Sequence, residues 1–138
     1  MAYTTINKST DYFNTVLYNG TGSTQSITGV GHQPDMVWIK RRNGTNSHTL
    51  WDAVRGTTKW LTPDNTNAEG TYAGGLTAFG TDGFTIGDGG DINTNSATQV
   101  SWNWKAGGTA PSQTYVVKVV SDSGNKYRFD DFGTSAVT

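Results

Sequence analysis

Short segments in which hydrophobic and polar residues alternate recur along the chain, separated by turn signals. Alternation with a period of two is typical of a β-strand that has one face in the core. Segment 13–18 alternates in this way, and segment 36–40 is the most apolar run, so we expect 36–40 in the centre of a sheet. The clearest case is segment 98–105, which we expect to bury Val100, Trp102 and Trp104 and to expose Gln99, Ser101, Asn103 and Lys105.

Further short strands are expected between these segments. They fall at 24–30, 48–54, 59–61, 76–79 and 84–87, with a type I′ turn signal at Asn19-Gly20, further turns at Asn43-Gly44 and 81–83, and a polar loop at 64–75. No helix of normal length is indicated. Many short strands with frequent turn signals are typical of a sandwich or barrel. We predict an all-β fold built as an antiparallel β-sandwich.

The domain organisation follows from changes in composition along the chain. We expect an N-terminal arm at 1–12, a sandwich domain at 13–106, a Gly- and Pro-containing linker at 107–113 and a C-terminal β-hairpin at 114–138. A single two-stranded hairpin is marginally stable in water. The hairpin would therefore dock on the sandwich, pair with another chain or begin a second domain.

Composition excludes several classes of function. The chain has no Cys, so it forms no disulfide and no thiolate metal site. Ten basic and eleven acidic residues give a net charge of −1, and the single basic run at 40–42 is interpreted as a solvated turn, so no nucleic-acid partner is expected. No apolar stretch approaches the roughly 18 residues of a membrane span, and the start has no hydrophobic signal core, so we expect no membrane insertion.

We predict no catalytic residues. The available bases are His32 and His48, and neither lies in a catalytic motif, so both are interpreted as surface or core-edge histidines. Glycosidase chemistry needs two carboxylates that flank the sugar bond. Most of the candidates lie in Asp-Gly or Pro-Asp turns and are interpreted instead as residues that cap their own backbone. The candidates are Glu69 and Asp35, Asp52, Asp64, Asp82, Asp88 and Asp91.

Five Trp residues are the most prominent feature of the composition. Trp38, Trp102 and Trp104 lie on apolar faces and are expected in the core. Trp51, Trp60 and Tyr72 are less clear. Aromatic rings serve as core filler, but exposed rings beside Asn and Asp also stack on the apolar faces of sugars. Trp51, Trp60 and Tyr72 are therefore the candidate carbohydrate-binding residues.

Two further polar groups are singled out by their spacing. The loop at 88–96 holds Asp88, Asp91 and Asn93 and is the candidate Ca²⁺ site, although it lacks the Gly and Glu of an EF-hand and is otherwise interpreted as an exposed, solvated loop. No other cofactor is expected. Asp52 and Arg55 are expected to hold the corner at Arg55-Gly56 as a structural pair.

Several motifs resemble a family of phage structural proteins that is common in marine and cyanobacterial phages. The resemblance covers residues 11–106 and rests on the motifs at 11–15, 29–40, 47–56, 81–87 and 100–106, which include Gly-His-Gln-Pro-Asp-Met-Val-Trp-Ile-Lys and Val-Ser-Trp-Asn-Trp-Lys-Ala. It implies a lectin-like sandwich of the concanavalin or jelly-roll type. His32 departs from the family pattern, which has a bulky apolar residue before Gln-Pro-Asp, and is expected to be an exposed or interface variant.

The resemblance also implies a function. We expect a non-enzymatic bacteriophage virion protein, an N-terminal tail-fibre module for attachment and host recognition, assembled in the host cytoplasm and released by lysis. Its expected partners are other copies of itself, as a homotrimer, and other virion proteins. The alternative is a lectin-like module that binds host surface glycans. An enzyme such as a depolymerase is the third hypothesis.

Overall fold

The computed structural model describes residues 8–106, 119–122 and 126–129. The chain divides into two compact units, Met1–Ala106 and Gly107–Thr138, and each is described by itself. After a 3₁₀ turn at Ser9–Asp11, the described elements of the first unit are β1 (Phe13–Asn19), β2 (Gln25–Thr28), β3 (Met36–Arg41), β4 (Thr49–Asp52), β5 (Lys59–Trp60), β6 (Gly70–Thr71), β7 (Leu76–Gly80), β8 (Gly83–Ile86), α1 (Gly90–Asn93) and β9 (Thr98–Trp104).

Two antiparallel sheets form the first unit. One has the strand order β1-β9-β3-β4 and the other the order β2-β8-β7. The short pair β5-β6 adjoins the edge strand β4 through a bridge between Leu50 and Leu61. The predicted all-β sandwich is confirmed.

The core lies between these two sheets. The four-stranded sheet contributes Val37, Ile39 and Trp51, and α1 contributes Ile92. The three-stranded sheet contributes Ile27, Leu76, Phe84 and Ile86. These side chains alternate with outward-facing residues along their strands, as the sandwich arrangement requires.

Most predicted strands are present within a few residues of their expected bounds. β3 lies between β9 and β4, which confirms that the most apolar segment is internal to a sheet. The turn at 81–83 joins β7 to β8 as a hairpin. The prediction missed β6 and α1, which are two and four residues long.

The prediction of a type I′ turn at Asn19-Gly20 is wrong. β1 pairs with β9 and β2 pairs with β8, so this dipeptide connects the two sheets. A type I′ turn needs positive φ at both central residues, and neither Asn19 nor Gly20 has it. Glycine is required at position 20 because a Cβ there would collide with the carbonyl oxygen of Thr94.

The predicted orientation of β9 is also wrong. The strand alternates as expected, but Gln99, Ser101 and Asn103 are the buried residues, whereas Trp102 and Trp104 are partly exposed. Backbone carbonyls accept hydrogen bonds from all three buried side chains. The Asn103 amide donates to Asn14 O at 3.1 Å and the Ser101 hydroxyl to Val16 O at 3.4 Å, both on β1, and the Gln99 amide donates to Asp91 O at 3.0 Å.

Large apolar side chains therefore lie on the solvent side of the four-stranded sheet. Trp38 packs edge-on against Trp102 with ring centroids 6.1 Å apart, and Phe13 packs against Trp104 at 5.1 Å. Leu17 is 60% exposed. We call this surface the outer aromatic face and define it by these five residues. The expectation that Trp38, Trp102 and Trp104 belong to the core is accordingly wrong.

His32 is buried, with 5% of its surface exposed, so the expectation of an exposed or interface histidine is wrong. Its Nδ1 is hydrogen-bonded to Thr10 O at 3.2 Å. The imidazole thereby joins the 29–35 segment to the chain that precedes β1, a packing role consistent with the bulky residue expected at this position.

In the second unit, β10 (Val119–Asp122) pairs antiparallel with β11 (Lys126–Phe129). The predicted strand start at 115–118, the linker at 107–113 and most of the N-terminal arm lie outside the described residues. In the part of the chain that is described, no helix is long and apolar enough to cross a membrane.

Candidate functional site

A pocket of about 290 Å³ opens beside β4, between the β5-β6 pair and α1. Its wall contains Trp51, Trp60 and Tyr72. These are the three residues that the sequence singles out for carbohydrate binding, and the fold brings them together although they lie on separate segments. A pocket near the lower end of the usual range of roughly 300–1,000 Å³ suits a small ligand.

The three rings differ in exposure. Trp51 lies on the inner face of β4 and is 2% exposed, so it contributes to the core as well as to the pocket. Trp60 on β5 is partly buried and packs against the core. Tyr72 follows β6 and is 45% exposed, with its hydroxyl 3.5 Å from Asp88 Oδ1. The exposure of the three rings thus increases from the buried Trp51 to Tyr72.

Glycines allow the backbone to approach closely around the pocket. A Cβ on Gly75 would collide with the ring of Trp51. The Gly87 N–H donates to Gly75 O at 2.9 Å and the Gly89 N–H donates to Gly74 O at 2.8 Å, which fixes the loop at 88–96 against the segment before β7. The prediction of a plain exposed loop at 88–96 is therefore wrong, because α1 folds there and buries Ile92.

Two deeply buried polar atoms of pocket residues lack a hydrogen-bond partner among the described residues. They are the Thr49 hydroxyl oxygen and Trp51 Nε1. Thr49 and Trp51 are two positions apart on β4 and so point to the same side of the sheet. Asp91 adds a carboxylate to the lining, and its Oδ1 accepts a hydrogen bond from the Asn46 amide at 2.6 Å.

The side chain of Asn93 is fully buried, and its hydrogen bonds join α1 to two other segments of the chain. Its Oδ1 accepts hydrogen bonds from Thr21 N–H at 2.9 Å and from Gln25 Nε2 at 2.7 Å. Its amide group donates to Ser23 O at 2.7 Å and to Gly87 O at 2.5 Å. All four bonds hold the chain around α1 in place, so the side-chain oxygen is committed to the protein.

The three candidate calcium residues each have different partners in the protein. Asp88 is near the Tyr72 hydroxyl, Asp91 lines the pocket and is bonded to Asn46, and Asn93 is engaged as above. Over residues 8–106 and the two described C-terminal strands, no group of three or more His, Cys, Asp or Glu side chains is placed to hold a metal ion.

Asp52 and Arg55 form an ion pair at the end of β4. Arg55 donates from its backbone N–H at 2.8 Å and from Nε at 2.6 Å. Burial alone would raise the pKa of the Asp52 carboxyl, but these hydrogen bonds from Arg55 outweigh it and hold the pKa below its usual value. Arg55 also contacts Glu69 at 3.3 Å, so the pair links β4 to the segment before β6.

Other acidic residues and the second histidine also have structural partners. Asp82 accepts hydrogen bonds from Gly31 N–H at 2.6 Å and Gly29 N–H at 3.1 Å, and these lower its pKa. Asp35 accepts from Ala106 N–H at 2.7 Å. His48 Nδ1 accepts a hydrogen bond from Trp38 Nε1 at 2.9 Å. These contacts stabilise loops at positions where the sequence suggests acid–base candidates.

The pocket combines aromatic rings with a few directed polar groups, which is the composition of a binding site. Sequence reasoning missed Thr49, Gly75 and the glycines of α1 as lining residues. The paired glycines at 74–75 and 89–90 carried a usable signal, because glycine within strand-rich sequence often marks close backbone approach.

A family model matches residues 8–127 of the chain, and the family is described as a domain of unknown function, DUF7483. No curated protein and no solved structure shows significant similarity to the chain. Because the match covers most of its length, the chain belongs to the DUF7483 family.

Proposed function

We propose that the chain is a non-enzymatic structural protein of a bacteriophage virion, an N-terminal tail-fibre module for attachment and host recognition. The resemblance of residues 11–106 to phage structural proteins supports the phage assignment. The all-β sandwich, rich in turns and low in net charge, is compatible with it. The protein would be assembled in the host cytoplasm and released with the virion by lysis.

The outer aromatic face is the observation that carries the assembly role. Contiguous exposed apolar surface marks interaction sites in folded proteins. Here Leu17 and Phe13 are exposed, and the partly exposed Trp38, Trp102 and Trp104 stand in the neighbouring strands β3 and β9. Burying this face against other copies would stabilise a homotrimer, and other virion proteins would join the assembly elsewhere.

The mass in solution tests the assembly. Light scattering behind a sizing column should give three times the chain mass for the intact protein. Leu17→Ser should shift the mass toward the monomer, because it removes an exposed apolar side chain from the outer aromatic face. Val54→Ser is the matched control, since Val54 is 96% exposed and is not part of the four-stranded sheet. A monomeric wild-type chain would contradict the trimer.

The virion assignment has a separate test. An antibody against the purified chain should label particles of the phage whose genome encodes it, at the tail, in immunogold electron microscopy. Labelling of the capsid alone would refute the tail-fibre role and leave a structural role. Absence of the chain from purified particles, measured by mass spectrometry, would refute both.

A second candidate function is carbohydrate binding, in which the module contacts host surface glycans. The gathering of Trp51, Trp60 and Tyr72 around one pocket favours it. A glycan array probed with the labelled intact chain tests it. Reproducible binding to a related set of glycans is expected, and an array without any bound glycan would count against this function.

A further inference from the structure

We propose that the pocket beside β4 holds a single uncharged sugar ring of a neutral glycan. This inference rests on the second candidate function, carbohydrate binding, and specifies both the site and the chemical class of the ligand. Its three supports are the arrangement of the rings, the unpartnered polar atoms and the charge of the lining.

Aromatic side chains make up a large part of the pocket lining. Trp51 is almost entirely buried against Gly75, so it contributes little accessible ring surface. Trp60 and the exposed Tyr72 are the other two rings of the lining. A pyranose ring has C–H groups on one face, and these pack on an aromatic face while the hydroxyls at the edge remain free to form hydrogen bonds. A pocket of about 290 Å³ accommodates one such ring better than a chain of them.

The polar atoms of the lining match the edge of a sugar. Buried hydrogen-bonding groups are nearly always paired in folded proteins. Six such side-chain atoms lack a partner among the described residues, and two of them, the Thr49 hydroxyl oxygen and Trp51 Nε1, belong to residues that line the pocket. A sugar hydroxyl within reach would donate to the first and accept from the second, whereas a purely apolar ligand would leave both atoms unpaired.

The charge of the lining selects against acidic sugars. Asp91 is the one charged residue among the described residues that line the pocket, and Asp88 lies nearby beside Tyr72. A carboxylate accepts hydrogen bonds from sugar hydroxyls. It repels the carboxylate of a uronic or sialic acid, so uncharged rings are favoured.

A quaternary ammonium ligand is the competing chemistry, because aromatic rings beside a carboxylate also bind such cations. An aromatic cage needs ring faces directed at the cation from several sides. Trp51 is buried against Gly75, which leaves two accessible rings, and a quaternary ammonium has no hydrogen bond to offer Thr49 or Trp51. A sugar ring therefore explains more of the residues that line the pocket than a quaternary ammonium ligand does.

Saturation-transfer NMR and titration calorimetry on the intact chain test the inference. The probes are galactose, glucose, mannose and N-acetylglucosamine as neutral sugars, glucuronate and N-acetylneuraminate as acidic sugars, and choline as the cation. At least one neutral sugar should bind with a dissociation constant of about 1 mM, as weak single-ring contacts imply. The acidic sugars and choline should bind at least roughly tenfold more weakly.

Two pocket variants and one matched control locate the site. Tyr72→Ala and Asp91→Asn should each weaken binding roughly tenfold, since one loses the rim ring and the other replaces a charged carboxylate acceptor with a weaker neutral amide. Val54→Ala is the control because Val54 is 96% exposed and does not line the pocket. Unchanged thermal unfolding of each variant shows that the fold is preserved.

The outcomes separate this inference from the function on which it rests. Glycan binding that survives Tyr72→Ala and Asp91→Asn, or that is lost in Val54→Ala, would overturn the pocket while leaving carbohydrate binding in place. Preferred binding of an acidic sugar or of choline would overturn the ligand class. If no saccharide, neutral or acidic, binds in solution or on the array, both the inference and the carbohydrate-binding function are refuted.

Discussion

Asn93→Asp is the substitution that most directly separates a structural role of the 88–96 loop from a role in calcium binding. Asn93 is fully buried and donates two hydrogen bonds, to Ser23 O and Gly87 O. An aspartate has the same shape but no amide donors, so a carboxylate oxygen would face the two carbonyl oxygens.

The magnitude follows from those two bonds. A buried polar group that loses its hydrogen-bond partner lowers the free energy of unfolding by roughly 1–3 kcal/mol. That cost applies fully to the carbonyl of Gly87, which is buried, and partly to that of Ser23, which is exposed. We therefore expect the free energy of unfolding near neutral pH to fall by about 2–4 kcal/mol, a large share of the roughly 5–15 kcal/mol that stabilises a typical domain.

The pH dependence of the variant has a defined sign. A buried carboxyl that faces carbonyl oxygens is disfavoured in its charged form, so its pKa in the folded protein lies above the unfolded value of about 3.9. The penalty is present above the folded pKa and is relieved as the pH falls through it, because the protonated group can again donate one hydrogen bond. The difference from the wild type should shrink on acidification.

Urea unfolding followed by Trp fluorescence measures the effect, with and without calcium. Asn95→Asp is the matched control, because Asn95 is exposed in the same loop, and it should change the free energy of unfolding by less than about 0.5 kcal/mol. If Asn93→Asp is as stable as the control, the structural account of Asn93 is wrong. A rise in the unfolding midpoint of the wild-type protein on addition of calcium would support the calcium site.

Two further substitutions test the packing around the pocket and the ion pair beside it. Gly75→Ala should lower the free energy of unfolding by about 1–3 kcal/mol, because the added Cβ collides with Trp51, whereas Gly90→Ala, where a Cβ meets nothing within 4 Å, should be nearly neutral in the same urea titration. Asp52→Asn should cost about 1–2 kcal/mol near neutral pH. Because the folded pKa of Asp52 is lowered, its contribution is present above the unfolded pKa of about 3.9 and is lost as the pH falls from there through the lower folded pKa. A difference between wild type and variant that does not shrink over this acidic range would contradict the assigned role of the ion pair.

The strands were predictable because their signal is local. Alternation fixes β1 and β9, and a continuous apolar run identifies β3 as internal to a sheet. The pocket was predictable in part for another reason: Trp51, Trp60 and Tyr72 were the large rings without a clear place in the core pattern. Their convergence depends on the bridge between Leu50 and Leu61 and on the β5-β6 pair, which are long-range contacts that no local pattern encodes.

The roles of polar residues were harder to predict, since they depend on distant partners. Asn93 resembles a loop residue in the sequence, yet its side chain binds residues 21, 23 and 25, about 70 positions earlier. Asp82 sits in an Asp-Gly turn but holds Gly29 and Gly31 instead of capping its own backbone. An acidic or amide side chain in a turn can form hydrogen bonds with its own backbone or with a distant segment. The sequence does not show which of the two it does.

The reversed faces of β9 have the most consequence for function. Alternation defines two faces, and hydrophobicity then assigned the Trp face to the core. That step assumes that the largest apolar side chains are buried within the same chain, but Gln99, Ser101 and Asn103 fill the inner side, where two of them bond to the backbone of β1. The partly exposed Trp rings keep part of their apolar surface in water, and burying apolar surface contributes roughly 25 cal/mol per Å². A partner that covers the outer aromatic face would recover this free energy, and the pattern that misled the prediction of the core is therefore the best reason to measure the assembly.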